Sequence, residues 1–336
     1  MAKVIQVEPS GGPARLRIVD VPLPDPGPGG VRFRVRAFAI NRADVHYING
    51  DQDTGRKPPS RVGSEAAGVV DAIGPGVTSH SIGDRVSSIP HFTPHSDRHG
   101  VQGEFAVVPA EYLAPWPSGF SAAEACSVWM QYLTAYYGLI TVGRLQRGQW
   151  LLAAAASSSA GAAAVQMGKA IGARVIATTR SPAKAEFVHR MGAKNVLVTS
   201  RGTDFSPELR RVTEGHGVDL VYEPLDGDFM DDYAQGLAWG ASIVSYGALD
   251  GPPELRIPLR SALRAKAAIH PYSMFNHVCD ASEREAGVRF VMEQITAGRL
   301  FPAIDRVFPM ARTAQAYEHM QNGQQCGKIV VQVTSP

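Results

Sequence analysis

Apolar residues recur at two different spacings along this chain, and the change of spacing divides it. Over the first third they alternate with polar residues in short runs: Lys3 to Val7, Leu16 to Val19, Val31 to Ala39, Ala66 to Ala72, Arg85 to Ile89 and Glu104 to Pro109. A period of two predicts strands with one buried face, and Gly and Pro clusters such as Pro22 to Gly30 supply the turns. Together these runs predict a small, irregular barrel. From Ser121 to Gly138 the spacing becomes helical, with Ser121 and Glu124 placed as a capping box, and Thr141 to Gly148 forms a connection. A regular alternation follows. Lys184 to Met191, Pro207 to Thr213 and Phe229 to Leu237 read as helices; Asn195 to Thr199, Asp219 to Tyr222 and Ala241 to Ser245 read as strands. Alternating βα units predict an α/β fold with a parallel, doubly wound sheet. Lys266 to Tyr272 adds an edge strand, Glu283 to Gly298 a helix, and the β-branched run Lys328 to Val333 a strand that returns to the barrel.

The alternation begins with the segment that carries the most chemistry. Leu151, Leu152 and Ala153 to Ala156 are small and apolar, as suits a strand buried on both faces. Ser157, Ser158 and Ser159 supply turn and N-cap chemistry, a helix starts near Ala160, and Arg174 to Thr179 closes the unit as a second strand. Ala160 and Gly161 carry almost no side chain, so backbone amides at the helix start are open to a pyrophosphate, which the helix dipole also favours. Serines stand where the G-x-G-x-x-G dinucleotide fingerprint has glycines, and a tightly packed turn with no ligand would use the same residues. After the second strand come Thr179, Arg180 and Lys184, with no carboxylate before Glu186. A cationic end suits a 2′-phosphate and favours NADPH over NADH, although Arg180 and Lys184 would equally serve as a solvated helix start.

Composition narrows the classes. The chain has 336 residues, 44% hydrophobic and 19% charged, with 33 Lys and Arg against 31 Asp and Glu. That length allows two domains, and the dispersed, near-neutral charge gives no reason to expect a nucleic-acid or membrane partner. Cys126, Cys279 and Cys326 are far apart and form no C-x-x-C, so reduced thiols in a cytoplasmic protein are expected, with no metal site. His91, His95 and His99 recur every four residues, but Pro90 and Pro94 argue for a polar surface loop rather than a helix presenting metal ligands.

Several short motifs then fall in a recognisable order. Asn41-Arg-Ala-Asp44, Gly63-Ser-Glu-Ala-Ala-Gly68, Gly83-Asp-Arg-Val86 and Met130-Gln-Tyr-Leu-Thr-Ala-Tyr136 resemble segments of the medium-chain dehydrogenase/reductase superfamily, in its zinc-free quinone oxidoreductase branch. The resemblance runs over nearly the whole chain. It implies a GroES-like barrel domain from residues 1–122 and 273–336, and a Rossmann domain from 123–272. Zinc-dependent members have a Cys near the start of the Asn41 segment and Gly-His-Glu where this chain has Gly63-Ser64-Glu65, so the usual ligands are missing.

The reaction implied is hydride transfer from NADPH to a quinone or to the double bond of an α,β-unsaturated carbonyl, a small-molecule partner. In the cofactor site Asn41 is expected to contact the nicotinamide ribose or carboxamide, Asp44 to order the loop and Thr134 to face the nicotinamide, with Asx-turn and helix-backbone roles open for the same residues. Tyr246, Gly247 and Ala248 follow a strand end, where such sheets bind ligands, and Tyr272, Met274 and Phe275 could wall the pocket. Relatives often carry tyrosines at the positions of His46 and Gln52, so His46, Tyr47 and Gln52, read as part of a loop, are the candidates for proton donation. An enoyl-thioester reductase of fatty-acid or polyketide type and a non-catalytic NADPH-binding or structural protein are the alternatives. The resemblance also suggests a homodimer paired along the cofactor-domain sheet edges.

Overall fold

Eleven residues buried along most of their length, Gly30–Ile40, form a strand around which the first unit of the molecule is built. The computed structural model describes residues 1–8, 11–50, 59–91, 100–225, 227–249 and 254–333. They divide into two units, Met1–Met130 with Pro302–Pro336, and Gln131–Phe301. In the first, the sheet runs in the order Ile304–Pro309, Lys328–Gln332, Gly30–Ile40, Ala66–Ile73, Arg85–Ser88 and Leu113–Pro115, with Phe105–Pro109 also pairing on Gly30–Ile40. The C-terminal strand returns as expected, antiparallel to Gly30–Ile40 with Val330 opposite Ala39. Leu16–Val21, Ala2–Val7 and Ser60–Arg61 form a second, smaller sheet. Phe33, Phe38, Ile40, Val70 and Tyr317 are among the side chains that fill the interior.

In the second unit all strands are parallel, in the order Asn195–Val198, Arg174–Thr179, Trp150–Ala153, Val218–Glu223, Leu237–Ser245 and Ala268–Pro271. Numbered along the chain this is 3-2-1-4-5-6, the doubly wound order of dinucleotide-binding sheets, whose strand order reverses beside Trp150–Ala153. Among the described residues, no helix is long and apolar enough to cross a membrane.

Four expectations change. The helix expected over Ser121 to Gly138 is broken: Ala122–Ala125 keeps the Ser121 capping box, and a new helix runs Trp129–Tyr136. Ser127 Oγ bonds back to the Ala123 carbonyl (2.7 Å), and the Glu65 carboxylate caps the Met130 N–H (2.9 Å), so the second helix starts on a tertiary contact. Phe229 to Leu237 has helical apolar spacing but forms two short 3₁₀ turns, Phe229–Asp232 and Ala234–Gly236. There the Asp232 carbonyl accepts from Phe205 N–H (2.8 Å) and its carboxylate from Gly202 N–H (3.0 Å), which diverts the segment from helix bonding. Residues 273–301, expected with the barrel, lie in the second unit. Their helix Ala281–Thr296 sets Gly287 so close to Leu133 and Tyr137 that a Cβ would sit 2.8 and 2.9 Å from them. Finally, 42–49, read as loop, is a helix.

Candidate active site

Asn41 begins that helix, Arg42–Asn49, and Gly50 ends it in a left-handed conformation, φ 78°. The Asn41 N–H donates to Asp44 Oδ2 at 2.9 Å, the reach-back of a capping box. Asn41, 6% exposed, is further held by two charged groups. Lys328 Nζ donates to its Oδ1 (2.6 Å) and also lies 2.7 Å from Glu65 Oε2, while Asn41 Nδ2 donates to the same Glu65 oxygen at 3.3 Å. Lys328 and Glu65 are 1% and 0% exposed, so this is a buried ion pair locked around an amide. A contact between the Asn41 amide and the nicotinamide would have to share it with these partners.

Asp44 is buried beside the pair, with Ser64 Oγ 3.4 Å from its Oδ1. Burial pushes its carboxyl up to about 7, with Glu65 adding to the rise and the Asn41 N–H, Lys328 and Ser64 opposing it. His46 is half-buried on the same helix. Tyr47 packs against the barrel core and its hydroxyl donates to Ser60 Oγ at 2.9 Å. Gln52, His95 and His99 lie outside the described residues. His91 stacks on Tyr112 at 4.3 Å. Among the described residues, no group of three or more His, Cys, Asp and Glu is arranged to hold a metal ion, and burial raises the Cys126 thiol far above its ordinary range.

In the second unit the serine turn is built by its neighbours. Ala154 N–H bonds to the Tyr222 carbonyl (3.0 Å) and Ala156 N–H to that of Thr178 (2.9 Å), so both flanking strands hold the chain as it leaves Trp150–Ala153. Ser158 caps the helix Ser159–Ile171 by accepting from Gly161 N–H at 3.1 Å. The amides of Ser159 and Ala160 begin the first turn, where no preceding turn of helix supplies an acceptor. A Cβ on Gly161 would lie 2.4 Å from the Ala155 carbonyl oxygen and 2.7 Å from Ala156 Cα, so only glycine lets the helix start this close to the turn. Thr179 is buried at the end of the adjacent strand, Arg180 is exposed and Lys184 half-buried.

Two further groups of expected residues converge in this unit. Thr134 Oγ1 lies 3.1 Å from Met274 Sδ, and Tyr272 OH donates to the Thr134 carbonyl at 3.1 Å, which ties the segment after the last strand to the helix Trp129–Tyr136. Phe275 is half-buried next to them. Tyr246 stacks on Tyr222 with ring centres 4.1 Å apart. Both hydroxyls are shielded from solvent and lack a hydrogen-bond partner among the described residues, and burial raises both phenols far above their ordinary range. Gly247 and Ala248 continue the strand end, with Gly247 exposed. A glycine cradle, a free helix start and two orphaned hydroxyls near the carboxyl ends of the strands fit a dinucleotide.

Sequence reasoning assigned no role to Lys328, Glu65, Ser64 or Tyr222. Glu65 and Ser64 stood inside a motif, but Lys328 is 287 residues from Asn41 and looks like the polar start of an edge strand.

The family model of the alcohol dehydrogenase GroES-like domain matches residues 27–118, and that of the zinc-binding dehydrogenase matches residues 160–291. A mycobacterial quinone oxidoreductase superposes with a TM-score of 0.87 at 28% identity, over 99% of this chain and 100% of that one. A mycobacterial protein complexed with NADPH gives 0.89 at 28%, with the same coverage. The 2-haloacrylate reductase of Burkholderia sp is 28% identical over 98% of both chains. The phthioceranic/hydroxyphthioceranic acid synthase of Mycobacterium tuberculosis is 30% identical over 92% of this chain, which spans 14% of that synthase's length.

Proposed function

Because the chain belongs to the medium-chain dehydrogenase/reductase superfamily, in its zinc-free quinone oxidoreductase branch, we propose that it reduces quinones or the double bond of α,β-unsaturated carbonyls with NADPH. The observation that carries the reading is the turn at Ala155 to Gly161, where backbone amides and a glycine without room for a Cβ stand at the reversal of strand order. When bound there, the reduced nicotinamide supplies the hydride.

The chain's own residues then have distinct tasks. The amides of Ser159 and Ala160 hold the pyrophosphate, Arg180 and Lys184 hold the 2′-phosphate, and Tyr222 and Tyr246 gain acceptors for their hydroxyls. Thr134, Tyr272, Met274 and Phe275 line the nicotinamide. Tyr47 is bonded to Ser60, and His46, with Gln52 beyond the helix, is assigned to hydrogen-bond the substrate carbonyl as negative charge develops there. The reaction is taken to need no metal because Ser64 stands where zinc-dependent members carry His and the Asn41 segment lacks their Cys. The chain is taken as a homodimer joined at the outer edge of the second unit's sheet.

The second reading, enoyl-thioester reduction, is favoured by the 30% identity to a stretch of the synthase. NADPH oxidation measured with a quinone, a short enal and a crotonyl thioester, each with and without a chelator, tests both. Chelator-resistant turnover of the quinone or enal is expected. Turnover of the thioester alone would favour the second reading, and NADPH binding without turnover of any acceptor would overturn the enzyme.

A further inference from the structure

We propose that the Ser64 hydroxyl protonates the α-carbon of the substrate and that the buried Asp44 carboxyl resupplies it. The proposal rests on the reading of the protein as an enone reductase. Once hydride has reached the β-carbon, the substrate is an enolate, and a proton must still arrive at its α-carbon. Of the sequence candidates, Tyr47 already donates its hydroxyl hydrogen to Ser60. The Ser64 and Asp44 pair offers a chain of two donors. Asp44 is 5% exposed, its Oδ2 fixed by the Asn41 N–H and its Oδ1 facing Ser64 Oγ at 3.4 Å. Ser64 is half-buried while Asp44 is sealed, so of the two groups the serine is the one that solvent and substrate can approach. Its carbonyl is held by Ser88 Oγ (3.3 Å), and Glu65, the next residue, is pinned by Lys328 and the Met130 N–H. A separation of 3.4 Å is long for such a bond, as catalytic hydrogen bonds often are before substrate arrives.

The surroundings explain why Asp44 has a proton to give. Facing it are the Asn41 N–H and Ser64, Lys328 from the returning strand, Glu65, and Tyr317 from the helix Thr313–Gln321; His46 lies on its own helix. Lys328 is already balanced by Glu65 at 2.7 Å. Ionising Asp44 would add a second negative charge to a buried cluster holding one cation, and burial holds its carboxyl near 7. In the step, Ser64 Oγ–H breaks as the α-carbon–H bond forms, and Asp44 Oδ1–H transfers to the serine oxygen. Asp44 is left as a carboxylate and recovers a proton from water, so the overall reaction consumes one solvent proton. The protonated acid is the active form, so enone turnover falls as pH rises through about 7.

The test uses an α-methylated cyclic enone, whose α-carbon becomes a stereocentre when protonated. Wild-type protein should give one enantiomer. Ser64→Ala should give racemic product, because the enolate takes its proton from water, and should lower the ratio of enone to quinone turnover by about a hundredfold. Ser64→Thr, which keeps a hydroxyl, should restore the single enantiomer, and Asp44→Asn should remove the fall in enone turnover above neutral pH. Infrared spectroscopy of the protein without substrate should show a buried protonated carboxyl that titrates near neutrality and disappears in Asp44→Asn. A single enantiomer from Ser64→Ala, or racemisation in His46→Gln instead, overturns the relay alone. Absence of wild-type turnover with any enone or quinone overturns the reductase reading and the relay with it.

Discussion

Ala155 has a left-handed backbone, φ 48°, a conformation that costs a non-glycine residue about 1–2 kcal/mol. The hydrogen bonds of Ala154 to Tyr222 and of Ala156 to Thr178 hold it there, so the sheet supplies what a glycine would have made easy. Gly161 is different, because the atoms a side chain would meet are backbone and cannot move aside. Gly161→Ala should therefore destabilise the protein by about 1–3 kcal/mol and remove binding of both NADPH and NADH. Arg180→Ala should weaken NADPH about tenfold or more and leave NADH unchanged, since only the 2′-phosphate is lost. Calorimetric titration of the two variants with both nucleotides separates the tasks; equal losses in Arg180→Ala would refute the phosphate role. Ser158 and Gly161 were legible in the sequence because capping and small size are local properties. Lys328 was not, because its meaning comes from Glu65 and Asn41, which only the returning strand brings to it.

At the scale of elements, one ion pair joins distant pieces of the first unit. Glu65 directly precedes Ala66–Ile73, Lys328 opens the strand Lys328–Gln332, and the N–H of Met130, the last residue of that unit's long first segment, also bonds to Glu65. Lys328→Met leaves the Glu65 charge sealed without its cation and should cost about 3–5 kcal/mol, read from chemical denaturation. Adding Glu65→Leu removes the orphaned charge and should recover part of that loss, although the cap on Met130 goes with it. If Lys328→Met is as stable as wild type, the pair does not hold these elements together. The same contact explains where element reading stopped short. Periodicity gave the helical character of Ser121 to Gly138, but the break comes from Ser127 bonding back and Glu65 capping from a distant loop. The helix Arg42–Asn49 did carry a local sign, an Asn with an acid three residues on and a Gly at the end, which loop composition around it obscured.

At the scale of the molecule, the order of a β-rich unit, an alternating unit and a returning strand was readable from spacing alone. The boundary near residue 301 was not, because it depends on which neighbour the helix Ala281–Thr296 chooses, and that is decided by the fit of Gly287 against Leu133 and Tyr137. The proposed dimer also belongs to this scale. The six-stranded sheet ends at Ala268–Pro271, and an uncovered edge offers its backbone groups to any strand that can reach them. Beside it the helix Leu259–Ala265 buries Ala262 and Ala265 while Leu259 and Leu263, one turn apart, are 64% and 69% exposed. Trp239, 75% exposed, lies under Lys266 at 6.0 Å, just past the end of that helix, and Ile257 is 46% exposed. Exposed side chains of this size are what an interaction surface would use. In the proposed dimer a two-fold axis would set the edge strand antiparallel to its own copy, with Pro271 confining the pairing to Ala268, Ile269 and His270, and would bring the two leucine faces together. Sedimentation velocity at micromolar concentration should give a dimer for the wild type. Leu259→Glu combined with Leu263→Glu should give a monomer with unchanged far-ultraviolet circular dichroism, because both side chains already face away from the sheet. A wild-type monomer, or a dimer that survives both substitutions, would place the contact elsewhere.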